Sequence, residues 1–190
     1  MDSVVAHAFS EARMALDEFV HTPATGTAVD AVVDRIEECF QNGGKILAAG
    51  NGGSMADAMH FAEEWTGRFK NDRRPFPAMA LCDPTHLTCV SNDFGFEHVF
   101  SRMVAAFARP GDIVLLLSTS GQSANLINAA EEAKQAGATV IGFLGKGGGA
   151  LTAMCDIVLM APGKGSDRIQ ELHMLTLHAI IDAVERRLGV

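Results

Sequence analysis

From residue 4 to 20, apolar side chains recur at three- and four-residue steps through Val5, Ala8, Phe9, Ala12, Leu16 and Phe19, the spacing of one helix face. Pro23 and Gly26 punctuate the chain next, and a second helix is predicted over 27–41, closed by Asn42-Gly43-Gly44. The pattern then changes. Short apolar runs at 46–49, 78–81, 113–117, 140–144 and 157–160, set among Gly, Pro and Asp, predict strands buried on both faces. Between and after them, amphipathic stretches at 54–69, 97–107, 123–135 and 167–188 predict helices.

Strands alternating with helices imply crossover units, hence a parallel sheet covered on both faces. No linker, low-complexity tract or internal repeat divides the chain. The expectation is a single α/β domain over 1–190, a three-layer sandwich around five parallel strands in the flavodoxin-like order. Residues 1–42 form an additional N-terminal helical pair assigned to oligomerisation, and 43–190 the α/β core. In such a sheet the ligand crevice lies beyond the carboxyl ends of the strands.

Composition narrows the function. Apolar residues make up 48% and charged residues 20% of the 190, which excludes a disordered chain. With 15 Lys+Arg against 23 Asp+Glu, the net charge of −8 argues against nucleic acid as a partner; Arg73-Arg74 is a pair, not a patch. No apolar run approaches the ~20 residues of a membrane helix, and Met1 to His7 lacks the basic-then-apolar order of a secretory signal. Cys39, Cys82, Cys89 and Cys155 lie far apart with no CxxC pair, so buried reduced thiols and a cytoplasmic location are expected.

The loops after the strands carry the chemistry. Gly50-Asn51-Gly52-Gly53-Ser54 succeeds the first strand and opens into a helix; Ser118-Thr119-Ser120-Gly121-Gln122-Ser123 succeeds the third and does the same. Small residues there let backbone N–H groups and hydroxyls point at an anion beside a helix N-terminus. Neither loop is a Walker loop or a GxGxxG fingerprint. Four hydroxyls within six residues, without a fixed lysine, suit the phosphate monoester of a small molecule. Each loop alone also reads as a tight turn with a capping serine. The third glycine cluster, Gly145-Lys146-Gly147-Gly148-Gly149, reads as a flexible turn.

His60 and Glu64 stand four apart and share a helix face, so they can touch one ligand or one metal ion; Glu63, three from His60, is geometrically possible too. The plainer alternative is a surface Glu64–Arg68 pair. The last helix offers Gln170, His173 and His178, of which His178 shares a stripe with Met174 and Ile181 and faces packed protein. Gln170 and His178 are separated by roughly 12 Å of helix rise. A continuous helix cannot easily bring both to one atom, so a site shared between subunits is expected. Asn92-Asp93 reads as a turn.

Five motifs together identify a family: Gly50–Ser54, Ala58-Met59-His60-Phe61-Ala62-Glu63-Glu64, Ser91-Asn92-Asp93-Phe94-Gly95, Ser118-Thr119-Ser120-Gly121 and Arg168-Ile169-Gln170-Glu171. In this order the chain resembles the sugar isomerase (SIS) domain family and, within it, the branch that isomerises sedoheptulose 7-phosphate. The resemblance implies the SIS fold, Glu64 and His178 as catalytic pair, and a zinc ion ligated by His60, Glu64, Gln170 and His178. It also implies substrate contacts from Asn51, Gly52, Gly53, Ser54, Glu64, Asn92, Asp93, Ser118, Thr119, Ser120, Ser123 and Gln170, and a homotetramer with active sites at subunit interfaces. Met55 departs from the family pattern, which carries a small residue or His there.

The implied reaction turns a ketose, sedoheptulose 7-phosphate, into the aldose D-glycero-D-manno-heptose 7-phosphate, the first step of bacterial heptose precursor synthesis. Moving a proton between C2 and C1 through an enediol needs a base at carbon and an acid at the carbonyl oxygen. A carboxylate such as Glu64 suits the first task and an imidazole such as His178, of a type that titrates near neutrality, the second. The competing expectation is a non-catalytic SIS protein that binds a protein partner such as the bacterial replication initiator; relatives of that kind lack the acid–base pair. Sugar-phosphate sensors of the family carry an added DNA-binding domain.

Overall fold

A computed structural model describes residues 3–190; Met1 and Asp2, the start of the segment read for a secretory signal, lie outside the described residues. Five strands form one parallel sheet: β1 (Ile46–Gly50), β2 (Ala78–Ala80), β3 (Ile113–Ser118), β4 (Thr139–Gly145) and β5 (Ile157–Ala161), in the order β2-β1-β3-β4-β5. Every neighbouring pair is parallel. The order reverses between β1 and β3, so the loops after these two strands flank the switch point where such sheets bind ligands.

Alternate strand residues feed two cores. Ile46, Ala48, Ile113, Leu115, Leu117, Ile141 and Phe143 meet α1 (Val4–His21), α2 (Pro23–Gln41), α3 (Gly53–Thr66) and α7 (Ser166–Leu188). Leu47, Ala49, Val114, Leu116, Val140 and Leu144 meet α4 (Pro84–Asp93), α5 (Ser101–Phe107) and α6 (Ala124–Gln135). The period of two along each strand thus makes the three layers. Within the first layer α2 buries Val32, Val33, Ile36, Cys39 and Phe40, whereas α1 buries only Ala15 and Phe19.

Several expected boundaries shift. The second helix begins at Pro23, not 27: Pro23 sits in its first turn, where a missing N–H costs nothing, and Gly26 is carried inside it. The third ends at Thr66, with Gly67 as C-cap, rather than at 69. The stretch 97–107 divides into a 3₁₀ turn, Phe96–His98, and α5. Asn92-Asp93 is no loop but the last turn of α4, a helix whose start is fixed by the Asp83 carboxylate accepting from the His86 N–H at 2.7 Å. The four cysteines are free, but only Cys39 is fully buried; Cys89 is exposed. Burial pushes the Cys39 thiol up to about 11 and the Cys155 thiol up to about 12.

Candidate active site

α3, α6 and α7 begin at one place. Asn51, Ser54, Ser118, Thr119, Ser120, Ser123, Ser166 and Gln170 line a cavity of about 240 Å³ over Leu117 and Leu126, at the carboxyl ends of β1 and β3. None of the three helices has a side-chain hydrogen bond from its N-cap residue (Gly52, Ser123 and Gly165). Their first-turn N–H groups therefore add positive potential to the hydroxyls around the cavity. A phosphate group is what such a lining fits.

Short bonds hold the loops. Ser118 Oγ accepts from the Gly121 N–H at 3.0 Å, and the Thr119 and Ser166 hydroxyls are 3.1 Å apart. Asn51 and Asn125 exchange two amide bonds, Nδ2 to Oδ1 in each direction, at 3.0 and 2.9 Å, and so tie the β1 loop to α6. The Gln170 amide donates to Ser54 Oγ at 3.3 Å. Gly53 leaves room for this contact: a Cβ on it would stand 2.7 Å from the Gln170 amide and push that side chain aside.

The third glycine cluster is more than a turn. It packs on the hydroxyl loop so closely that a Cβ on Gly121 would overlap the Gly148 carbonyl. Lys146 within it has φ 51°, a left-handed conformation uncommon outside glycine. Its ammonium donates to Ser166 Oγ at 3.2 Å, so a lysine stands at the cavity rim after all. Sequence reasoning missed Lys146, Ser166 and Asn125. The sign available for Lys146 was a single cation amid glycines at a strand's carboxyl end.

About 12 Å further along α7, a second group forms. His60, Glu64 and His178 bring one ligand atom each within 4.8 Å of one another. The His60 Nε2 is 3.0 Å from Glu64 Oε1, and the His60 and His178 rings lie edge to face at 5.1 Å. Phe69 stacks on His178 at 5.7 Å. His178 is half-buried rather than packed inside; the fully buried histidine is His173, whose Nε2 bonds the Leu144 carbonyl at 3.2 Å. Asp57, one turn before His60, has its carboxyl pushed up to about 6 by burial, with His60 opposing the rise.

These positions decide between alternatives. Glu64 pairs with His60, not with Arg68, which lies beyond the end of α3; Glu63 is exposed and does not join the group. Glu64 and His178 meet within one chain, so their encounter does not itself need a subunit boundary. Gln170 of the same chain does not reach them: it faces Ser54 and the cavity. Asn92 and Asp93 are exposed and bonded to each other at 2.7 Å, outside the cavity lining.

The group fits zinc. Two donors bound to a tetrahedral zinc at ~2.0–2.2 Å lie about 3.3 Å apart, close to the 3.0 Å between His60 Nε2 and Glu64 Oε1. Two imidazoles and a carboxylate are a donor set zinc takes in catalytic sites, with one position left open.

Residues 9–145 match the family model described as SIS domain. A curated relative, the phosphoheptose isomerase of Fusobacterium nucleatum, is 48% identical over 90% of this chain and 88% of its own. Among solved structures, phosphoheptose isomerase from Neisseria gonorrhoeae is 40% identical with a TM-score of 0.90, covering 96% of this chain and 97% of its own. A phosphoheptose isomerase from Francisella tularensis is 35% identical with a TM-score of 0.92 and covers 96% of each.

Proposed function

The chain belongs to the SIS-domain family, in its phosphoheptose isomerase branch, and we propose that it converts sedoheptulose 7-phosphate to D-glycero-D-manno-heptose 7-phosphate by proton transfer through an enediol. The observation that carries this reading is the meeting of Glu64 with His178, a carboxylate and an imidazole within 4.8 Å of each other in company with His60. Support comes from a hydroxyl-lined cavity of about 240 Å³ at the N-terminal ends of the same helix pair, roomy enough for a phosphate group.

In the reaction Glu64 takes a proton from C1 of the ketose and returns one to C2. His178 gives a proton to the C2 oxygen and recovers one from the C1 hydroxyl, so proton and charge balance over the cycle. The phosphate, held in the cavity by Ser118, Thr119, Ser120, Ser123 and the rim cation Lys146, fixes the reacting carbons by binding energy spent away from them. His60, Glu64 and His178 would hold a zinc ion, which when bound polarises the sugar's oxygens.

We further infer a homotetramer whose sites are shared: the cavity and Gln170 of one copy would face the His60–Glu64–His178 group of a neighbour, where Gln170 would join the residues that hold the ion. Within one chain Gln170 is two helical turns away, about 12 Å. The exposed apolar side chains Val5, Phe9, Met14 and Val20 on α1, with Met59 and Leu175 beside the acid–base group, are a surface suited to such contacts. Asn92-Asp93 reaches substrate on this reading only from another subunit. Among the described residues no helix is long and apolar enough to cross a membrane, and four free thiols suit the reducing cytoplasm, to which we assign the reaction as the entry to heptose precursors.

Incubation with sedoheptulose 7-phosphate, followed by NMR for the aldose C1 signal, tests the function. Appearance of the aldose supports it. No aldose from folded protein, with and without zinc, overturns it.

A further inference from the structure

Arg73 lies in the loop between α3 and β2, and its side chain is 2% exposed. Nε donates to Glu185 Oε1 at 2.6 Å, Nη2 to the Glu64 carbonyl at 2.7 Å, and Nη1 to the carbonyls of Trp65 at 2.8 Å and Arg74 at 3.2 Å. The guanidinium also lies against the Trp65 ring at 5.7 Å and the Phe76 ring at 5.1 Å. Its partner Glu185, on α7, is 3% exposed.

This is an expensive way to fill a core. Burying a charge pair costs desolvation on both sides, and an apolar pair of equal size would often serve stability as well or better. The cation does meet carbonyls at the end of α3, that of Trp65 also accepting from the Phe76 N–H at 3.0 Å, and there the helix dipole favours positive charge. A cap, however, needs only one donor. Here four bonds converge on the backbone of Glu64 itself, its neighbour, the loop and the helix that carries His178.

We propose that Arg73 and Glu185 form a positioning clamp that sets the separation between Glu64 and His178. The proposal rests on the acid–base reading of that pair. Glu64 occupies the last turn of α3, the part of a helix that frays first. Arg73 holds its carbonyl, and through Glu185, seven residues and two turns beyond His178, fastens that turn to α7. Neither residue touches substrate. Their effect passes through the geometry of the pair, and the phosphate cavity at the other end of both helices is outside their reach.

Two variants test this: Arg73→Lys, which keeps the charge but cannot make the four-bond fork, and the apolar double variant Arg73→Met/Glu185→Leu, which removes the buried charges together. A clamp predicts that folded double variant and Arg73→Lys lose at least about tenfold in kcat while KM for sedoheptulose 7-phosphate stays within about twofold. It also predicts zinc binding to the apoprotein weakened at least about tenfold, read by titration with the metal alone and so independent of turnover. Should the double variant not fold, Arg73→Lys decides. Folded variants with wild-type kcat and zinc affinity overturn the clamp, as does a loss of KM alone. If the wild type itself makes no aldose, the acid–base reading fails, and the zinc titration still judges the clamp.

Discussion

Glu64 in the last turn of α3 and His178 in the middle of α7 come within 4.8 Å of each other, together with His60. Only one of the three, Glu64, can serve as a carboxylate base, and among the described residues no other acidic group joins the cluster. Glu64→Gln keeps the shape and removes the base. It is expected to lower kcat by about 10²–10⁴ with KM changed little, since the sugar is anchored elsewhere. Steady-state kinetics check this, and retained turnover removes Glu64 from the role.

The opposite split is expected at the cavity. Ser120→Ala with Ser123→Ala takes away two hydroxyls, and Lys146→Met takes away the rim cation 3.2 Å from Ser166. Each should raise KM at least about tenfold while kcat holds within about threefold, because the lost interactions are made equally before and during reaction. Inorganic phosphate should weaken as a competitive inhibitor in the same proportion. An unchanged KM in all of them would move the phosphate elsewhere.

The contrast between these two places shows what the sequence could carry. Five parallel strands were legible because apolar runs such as Ile113–Leu117, buried throughout, alternate with helices. Burial on both faces does not hold for the edge strands β2 and β5, each with a single neighbouring strand, and Met160 of β5 is exposed. His60 and Glu64 were legible as one helix face. That His178 joins them was legible only through the family resemblance and not from spacing, since it depends on α3 and α7 packing side by side and in parallel. α4 was missed because Thr88, Cys89, Val90 and Ser91 have weak helix preference, although Asp83-Pro84 was a start signal. Lys146 was hidden because its role depends on where Ser166 comes to rest.

Zinc is the next outcome. Protein purified without chelator is expected to carry it at about one ion per chain, and His60→Ala should lower the affinity at least about tenfold by removing one of three converging donors. Elemental analysis and a metal titration read both. Wild-type protein without stoichiometric zinc would withdraw the metal assignment.

His173 governs a pH dependence of stability. Burial holds its imidazole well below the ordinary value of 6.5, at about 4, with the Leu144 carbonyl opposing the drop; its Nδ1 is buried without a partner. Between these values the unfolded chain binds a proton that the folded chain does not. Stability is therefore full above about pH 6.5 and falls as pH is lowered toward 4, by at most about 3 kcal/mol from this group. His173→Gln, which cannot titrate, should flatten the profile in that window. Urea denaturation at fixed protein concentration from pH 7 to 4 measures it, and parallel profiles would refute the assignment.

Gln170 and His178 share α7 but face different places, the first at Ser54 and the cavity, the second at His60. If the phosphate end of one copy works with the acid–base group of its neighbour, two impaired variants can repair each other at substrate concentrations well below the raised KM. A chain with Glu64→Gln retains a sound cavity, and a chain with Ser120→Ala/Ser123→Ala and Gln170→Ala retains a sound acid–base group. In mixed oligomers, some sites then combine the intact half of each. Co-expression under two affinity tags and purification through both should return a substantial fraction of wild-type activity, on the order of one site in four for random mixing of a shared pair of halves. Were each chain self-contained, every site in the mixture would carry one defect or the other, and the doubly tagged material, assayed at substrate well below the raised KM, would be no more active than its parents. The activity of that preparation therefore decides whether the two turns of α7 between Gln170 and His178 separate two parts of one site or two halves of neighbouring ones.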